Sequence, residues 1–130
     1  MKKVFLFMIA TVLIMSCSEA QNKTDKSESI SIVEVIDAKS FQKKLGDSLV
    51  QIIDVRTPSE FSGGNIPGSI NIDYNASDFS ERMSELNKQT ETLIYCRSGG
   101  RSGRASMVLK ELGFKEVYDL KGGYSNWPFK

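Results

Sequence analysis

From residue 30 onward, short β-rich runs alternate with stretches that read as helices. This alternation restricts the possible folds more than any other feature of the chain. Ser31 to Ile36 is the first run, and Leu49 to Val55 the second. The second is almost continuously apolar, as a strand covered on both faces should be. Ser69 to Ile72, Thr92 to Tyr95 and Glu116 to Leu120 complete the set. Asp37 can cap a helix over Ala38 to Leu45, which puts Phe41 and Leu45 on one face. Thr57-Pro58-Ser59-Glu60 has the form of a capping box with proline at the first helical position. Asp78 to Leu86 is expected to be helical with Phe79, Met83 and Leu86 inward. Gly103 to Leu112 is the last long helix, carrying Met107, Val108 and Leu112, with Gly113 as its cap. After a turn at Gly122-Gly123, a short terminal helix brings Trp127 to the core. The pattern predicts an α/β fold: one domain, residues 30–130, with a central parallel five-stranded sheet and helices on both faces.

Ligands of such sheets sit at the carboxyl ends of the strands. The run Thr92 to Tyr95 ends there on Cys96-Arg97-Ser98-Gly99-Gly100-Arg101-Ser102. A thiol in this position can be ionised at neutral pH, because a helix start and nearby cations both favour the thiolate. Gly99 and Gly100 allow a tight turn whose amides can converge on an anion. Ser98 and Ser102 add hydroxyl donors, Ser102 also being placed to cap the helix, and Arg97 and Arg101 supply positive charge. The alternative is a buried structural cysteine followed by a solvated loop. The coincidence of cysteine, paired glycines, arginines and a following helix favours chemistry.

The chain contains no histidine, which excludes histidine-assisted nucleophiles and removes the commonest metal ligand. Its two cysteines, Cys17 and Cys96, cannot form a zinc site by themselves, and no metal or other cofactor is expected. A redox pair between them is disfavoured by the long polar stretch beside Cys17. A formal net charge of +1 gives no reason to expect nucleic acid as a partner.

Residues 1–16 read as a leader. Lys2 and Lys3 precede a run from Val4 to Met15 that is apolar except for Thr11 and too short to span a bilayer. Ile14-Met15-Ser16-Cys17 resembles the lipobox of bacterial lipoproteins, although Met15 is larger than the residue usual there. That resemblance implies a lipoprotein signal peptide over 1–16, lipid on Cys17, a lipidated, flexible tether over 17–29, and anchoring to a membrane of the bacterial cell envelope, facing the periplasm. The tether reading also follows from composition, since 18–29 contains one alanine and no other apolar residue.

The cysteine loop also resembles the active-site loop of the rhodanese family. Two further stretches strengthen the likeness. Ile53-Asp54-Val55-Arg56-Thr57-Pro58-Ser59-Glu60-Phe61 with Gly64-Asn65-Ile66-Pro67-Gly68-Ser69-Ile70-Asn71 is similar to the family's first signature. Leu120-Lys121-Gly122-Gly123-Tyr124 with Trp127 is similar to its last. Asn65 stands where the family usually has histidine. The resemblance implies a single rhodanese-like domain and a sulfurtransferase. Cys96 would take sulfane sulfur from a donor such as thiosulfate and pass it from a persulfide to cyanide or a thiol. Arg97, Ser98, Gly99, Gly100, Arg101 and Ser102 would bind the small anionic donor. Asp54 and Arg56, at a neighbouring strand end, read as mainly structural, paired with loop or helix partners, with a direct substrate role as the alternative. A monomer is expected, with a weak homodimer as the alternative. Phosphatases and arsenate reductases on this fold have a loop one residue longer. The four residues between Cys96 and Arg101 make a tighter ring that suits sulfur. A non-enzymatic persulfide-binding or protein-binding module is the remaining alternative.

Overall fold

The computed structural model describes residues 31–47 and 49–130. The expected leader, Cys17 and tether lie outside the described residues. Five strands, β1 (Ile32–Ile36), β2 (Gln51–Asp54), β3 (Ile70–Asn71), β4 (Thr92–Tyr95) and β5 (Glu116–Leu120), form one sheet in the order β1-β5-β4-β2-β3. Every pairing is parallel. Between them run α1 (Ala38–Leu45), α2 (Pro58–Ser62), α3 (Phe79–Ser84) and α4 (Gly100–Glu111), and a 3-10 turn at Tyr124–Asn126 closes the chain. The α/β fold with a parallel five-stranded sheet is therefore as the alternation predicts.

The local signals act as their chemistry requires. Asp37 accepts from the Ser40 amide at the start of α1. Thr57 and Glu60 form the complete capping box at α2, with Pro58 inside the first turn. Two apolar layers cover the sheet. On one side Ile53, Ile94 and Val117 pack with Met83 of α3 and Leu109 of α4. On the other, Leu93, Tyr118 and Leu120 pack with Phe41 of α1 and Trp127. The rings of Phe41 and Trp127 meet edge to face at 5.7 Å, a contact that adds about 1 kcal/mol to their burial.

Some expectations are corrected. The second strand is shorter than its apolar run: Leu49 is 82% exposed and precedes it. Apolarity alone does not show where ladder partners end, and β4 offers none before Thr92. Met107 is exposed, and Ala105, Ser106 and Leu109 form the buried face of α4 instead. That helix also begins three residues earlier than expected. Gly99 has φ +108°, which turns the chain sharply, and the Gly103 amide donates to the Gly99 carbonyl at 3.0 Å to close the first turn. Ser102 therefore lies inside the helix and is not its cap, a position that Gly99 holds.

The connections leaving β2 and β4 run to opposite sides, toward β3 and β5 respectively. The crevice of a parallel sheet opens where connections diverge in this way. Cys96 and Asp54 stand at the carboxyl ends of these two strands.

Candidate active site at the β4–α4 junction

β4 is buried along its whole length and delivers Cys96, itself 1% exposed, to the start of α4. Burial alone would make this thiol inert. Its sulfur, however, has donors around it. The Gly99 amide donates to Sγ at 3.0 Å and the Ser102 hydroxyl at 3.4 Å. Burial pushes the thiol pKa up, but the Ser102 hydroxyl and the amides of Ser102, Gly99 and Ser98 outweigh it, so the net direction is downward. The pull comes from oriented hydrogen bonds at a helix start.

The loop is held from behind by the last turn of the chain. Tyr124 donates its amide to the Cys96 carbonyl at 2.8 Å, and Ser125 donates to the Arg97 carbonyl at 2.9 Å. Gly123, at φ +63°, makes that approach possible. A Cβ there would stand 2.5 Å from the Arg97 carbonyl and 2.6 Å from that of Cys96. Gly123 is thus part of the site's scaffold although it is distant in sequence.

The expected donor-binding residues do not form a uniform group. Arg97 and Ser98 are exposed at the rim, and Gly99 and Gly100 shape the turn. Arg101 is not a free cation. Its two terminal nitrogens reach the two carboxylate oxygens of Glu60 on α2, each at 2.8 Å. Arg101, Thr57 and the Thr57 amide together hold the Glu60 carboxyl down at about 2. Arg97 makes no salt bridge among the described residues. Asp54 and Arg56 pair with each other, and not with loop or helix partners as expected. The Arg56 guanidinium donates to both Asp54 oxygens and to the Gly64 carbonyl, and it lies over the Tyr124 ring at 4.3 Å. Asn65 donates to the Phe61 carbonyl at 3.2 Å and so closes the end of α2.

One neighbour of the site was not legible in the sequence. Asp119, on β5, is 3% exposed, and desolvation raises its carboxyl pKa to about 6, against the Ser102 hydroxyl and the Leu120 amide. Between the ordinary value of 3.8 and about 6 the folded chain holds a proton that the unfolded chain has lost. Stability from this group is therefore complete below that window and falls by about 3 kcal/mol as pH rises through it. Asp119→Asn is expected to remove this fall. Urea midpoints for both proteins at about pH 4 and about pH 7 check it, and parallel pH dependences would contradict it.

The fold agrees with comparisons to known proteins. A family model described as "Rhodanese-like domain" matches residues 37–129. A sulfurtransferase of Allochromatium vinosum is 37% identical over 97 residues, covering 74% of this chain and 89% of its own length. The Bacillus subtilis protein named "Uncharacterized protein YqhL" is 40% identical over 87 residues, covering 67% of this chain and 68% of its own. Among solved structures, a rhodanese-related protein from Thermoplasma volcanium superposes with a TM-score of 0.64 at 30% identity. It covers 72% of this chain and 89% of its own.

Proposed function

The chain belongs to the rhodanese-like family, and on that premise we propose that it moves sulfane sulfur through a persulfide on Cys96. Membership of the family and the name of the Allochromatium vinosum relative support sulfurtransferase-type activity. The observation that carries the finer reading is the convergence of the Gly99 amide and the Ser102 hydroxyl on a buried sulfur at a helix start. These donors favour a thiolate without a general base, as a chain without histidine requires.

With thiosulfate as donor, the Cys96 thiolate attacks the sulfane sulfur. A new S–S bond forms, the donor's S–S bond breaks, and sulfite leaves with the bonding pair. The persulfide carries its charge on the terminal sulfur, among the amides of residues 97–102. Cyanide or a thiolate then attacks that terminal sulfur, takes it, and releases the Cys96 thiolate. Charge and electrons balance in both steps, with no external oxidant. Because Glu60 neutralises Arg101, Arg97 is the cation best placed to draw the anionic donor in. Desolvation of the loop and its amides then decide how tightly the terminal sulfur is held.

Intact-mass measurement after incubation with thiosulfate tests the reading. One added sulfur atom is expected in the wild type and none in Cys96→Ser. An unchanged wild-type mass with several sulfane donors would remove the support for sulfur transfer.

The proposal extends to the start of the chain. Export, lipid on Cys17 and a periplasm-facing anchor are supported by the order of Lys2, Lys3, the apolar run and Ser16-Cys17. Wild type is expected in the membrane fraction of a bacterial host and Cys17→Ala in the soluble fraction. Equal partitioning of the two would rule the anchor out.

A further inference from the structure

Arg101 is a cation built into the cysteine loop, yet its charge is spent. It lies on the first turn of α4, between Gly99, whose amide reaches Cys96 Sγ at 3.0 Å, and Ser102, whose hydroxyl reaches it at 3.4 Å. Its two terminal nitrogens are taken by the two Glu60 oxygens, each at 2.8 Å. Glu60 is fixed in turn, because its Oε2 accepts from the Thr57 amide and from the Thr57 hydroxyl, both at 3.0 Å. A bidentate pair of this kind sets direction as well as charge. The Glu60 carboxyl, held down at about 2 chiefly by Arg101, stays ionised wherever the thiol can lose its proton.

Space does not restrict what reaches this turn. Cβ atoms on Gly99 and Gly100 would meet nothing within 4 Å, so no side chain closes over it. Charge is the filter that remains. Arg104 stands a turn further along α4, over the Tyr74 ring at 5.5 Å. Arg97 is exposed and makes no salt bridge among the described residues. With Cys96 as thiolate, the charge of Arg97 offsets that of the sulfur. A donor with one negative charge then meets a loop close to neutral. A dianion brings a second charge that no unspent loop cation matches, and it gives up more hydration on entering.

We propose that Glu60 is a specificity-determining residue: by spending Arg101 it biases the site toward sulfane donors with at most one negative charge, such as organic persulfides, and against dianions. Thiosulfate still loads the thiol, but at a disadvantage that Glu60 imposes. This deepens the sulfur-transfer reading above and rests on it for the donor class. The chemistry is the same for either charge. From methanethiosulfonate, a monoanion, the Cys96 thiolate takes the sulfane sulfur, the new S–S bond forms as the donor's breaks, and methanesulfinate leaves with the bonding pair. Thiosulfate differs by an oxygen in place of the methyl group and by one added charge, and both donors give the same persulfide.

The test compares loading rates with these two donors in the full-length chain, followed by intact mass and read as the difference from Cys96→Ser. Glu60→Gln keeps the shape and the capping box, which glutamine also forms, and removes the charge. The ratio of kcat/KM for thiosulfate to that for methanethiosulfonate is expected to rise about fivefold in Glu60→Gln, as one cation is released beside the loop. In Arg101→Gln, which leaves Glu60 unpaired, the ratio should fall below the wild-type value. In the double variant it should return toward the wild type, since the pair is removed as a unit. An unchanged ratio in Glu60→Gln would overturn the proposal. So would an undiminished rise in the double variant, because the freed charge would then not be that of Arg101. A second measurement needs no sulfur donor. Dianionic inorganic phosphate, titrated against the Gly99 amide signal in nuclear magnetic resonance, should bind Glu60→Gln about fivefold more tightly than the wild type. Equal affinities would refute the charge filter. A wild type that loads from neither donor would instead remove the sulfur-transfer reading, so the two failures are distinct results.

Discussion

Replacing Gly123 by alanine is expected to abolish sulfur loading of Cys96 and to lower stability by about 3 kcal/mol. Two effects combine. The backbone there has φ +63° and ψ −166°, a region essentially reserved for glycine. The added methyl would also stand 2.5 Å from the Arg97 carbonyl carbon and oxygen, with no flexible side-chain end to give way. Relief requires the last turn and the loop to separate. That breaks the hydrogen bonds that the Tyr124 amide donates to the Cys96 carbonyl and the Ser125 amide to the Arg97 carbonyl. The loop would then lose the support that holds its donors around Sγ. Intact mass after thiosulfate treatment reads the first effect and urea denaturation the second. A Gly123→Ala protein that loads sulfur normally would show that the turn does not hold the loop. Gly99→Ala is a useful contrast: its φ of +108° imposes strain, but its Cβ would meet nothing within 4 Å.

The second large effect concerns Asp54 and Arg56. Asp54 is 0% exposed and Arg56 4%, so Asp54→Ala leaves a guanidinium buried without its counter-charge. Removing one partner of such a pair costs about 3–5 kcal/mol. The remaining contacts of Arg56, with the Gly64 carbonyl and the Tyr124 ring, do not replace a carboxylate. Replacing both residues with apolar ones of similar size should restore much of the loss, because the desolvation cost disappears with the charges. Urea denaturation of the single and double variants measures this. A loss under about 1 kcal/mol in Asp54→Ala would mean that Arg56 reaches solvent when released. The pair also ties β2 to the residues just after α2, since Arg56 donates to the Gly64 carbonyl at 2.7 Å. Its loss should therefore loosen the β2 side of the crevice, where Glu60 holds Arg101.

The two predictions concern different supports of one loop. Gly123 acts on its backbone from the β5 side. Asp54 and Arg56 act on the β2 side, through the helix that carries Glu60. Neither support touches Sγ, yet both bear on the distances at which Gly99 and Ser102 donate to it.

Much of this arrangement follows from the sequence alone. Caps and turns are local chemistry, so Asp37, the Thr57–Glu60 box and Gly113 could be placed without knowing the fold. The alternation of β-rich and helical stretches fixes a parallel sheet, because each crossover returns the chain in the same direction. A strand ending on Cys96 before a helix then puts that thiol at the sheet's carboxyl edge. Choices between partners far apart in the chain required the tertiary structure. Arg101 and Glu60 are 41 residues apart, and only the packing of α2 beside α4 made one charge neutralise the other. Gly123 gained its role because β5 lies beside β4, which brings the last turn onto the Cys96 and Arg97 carbonyls. Asp119 reads in sequence as an ordinary polar residue near a strand end. It became a buried acid with one unpartnered oxygen because β1 and β4 flank it and the first turn of α4 covers it. Local sequence determines which backbone conformations are low in energy. Desolvation and pairing depend on which surfaces the fold brings together, so only the tertiary structure decided which charges are free, which are spent, and which acid is buried.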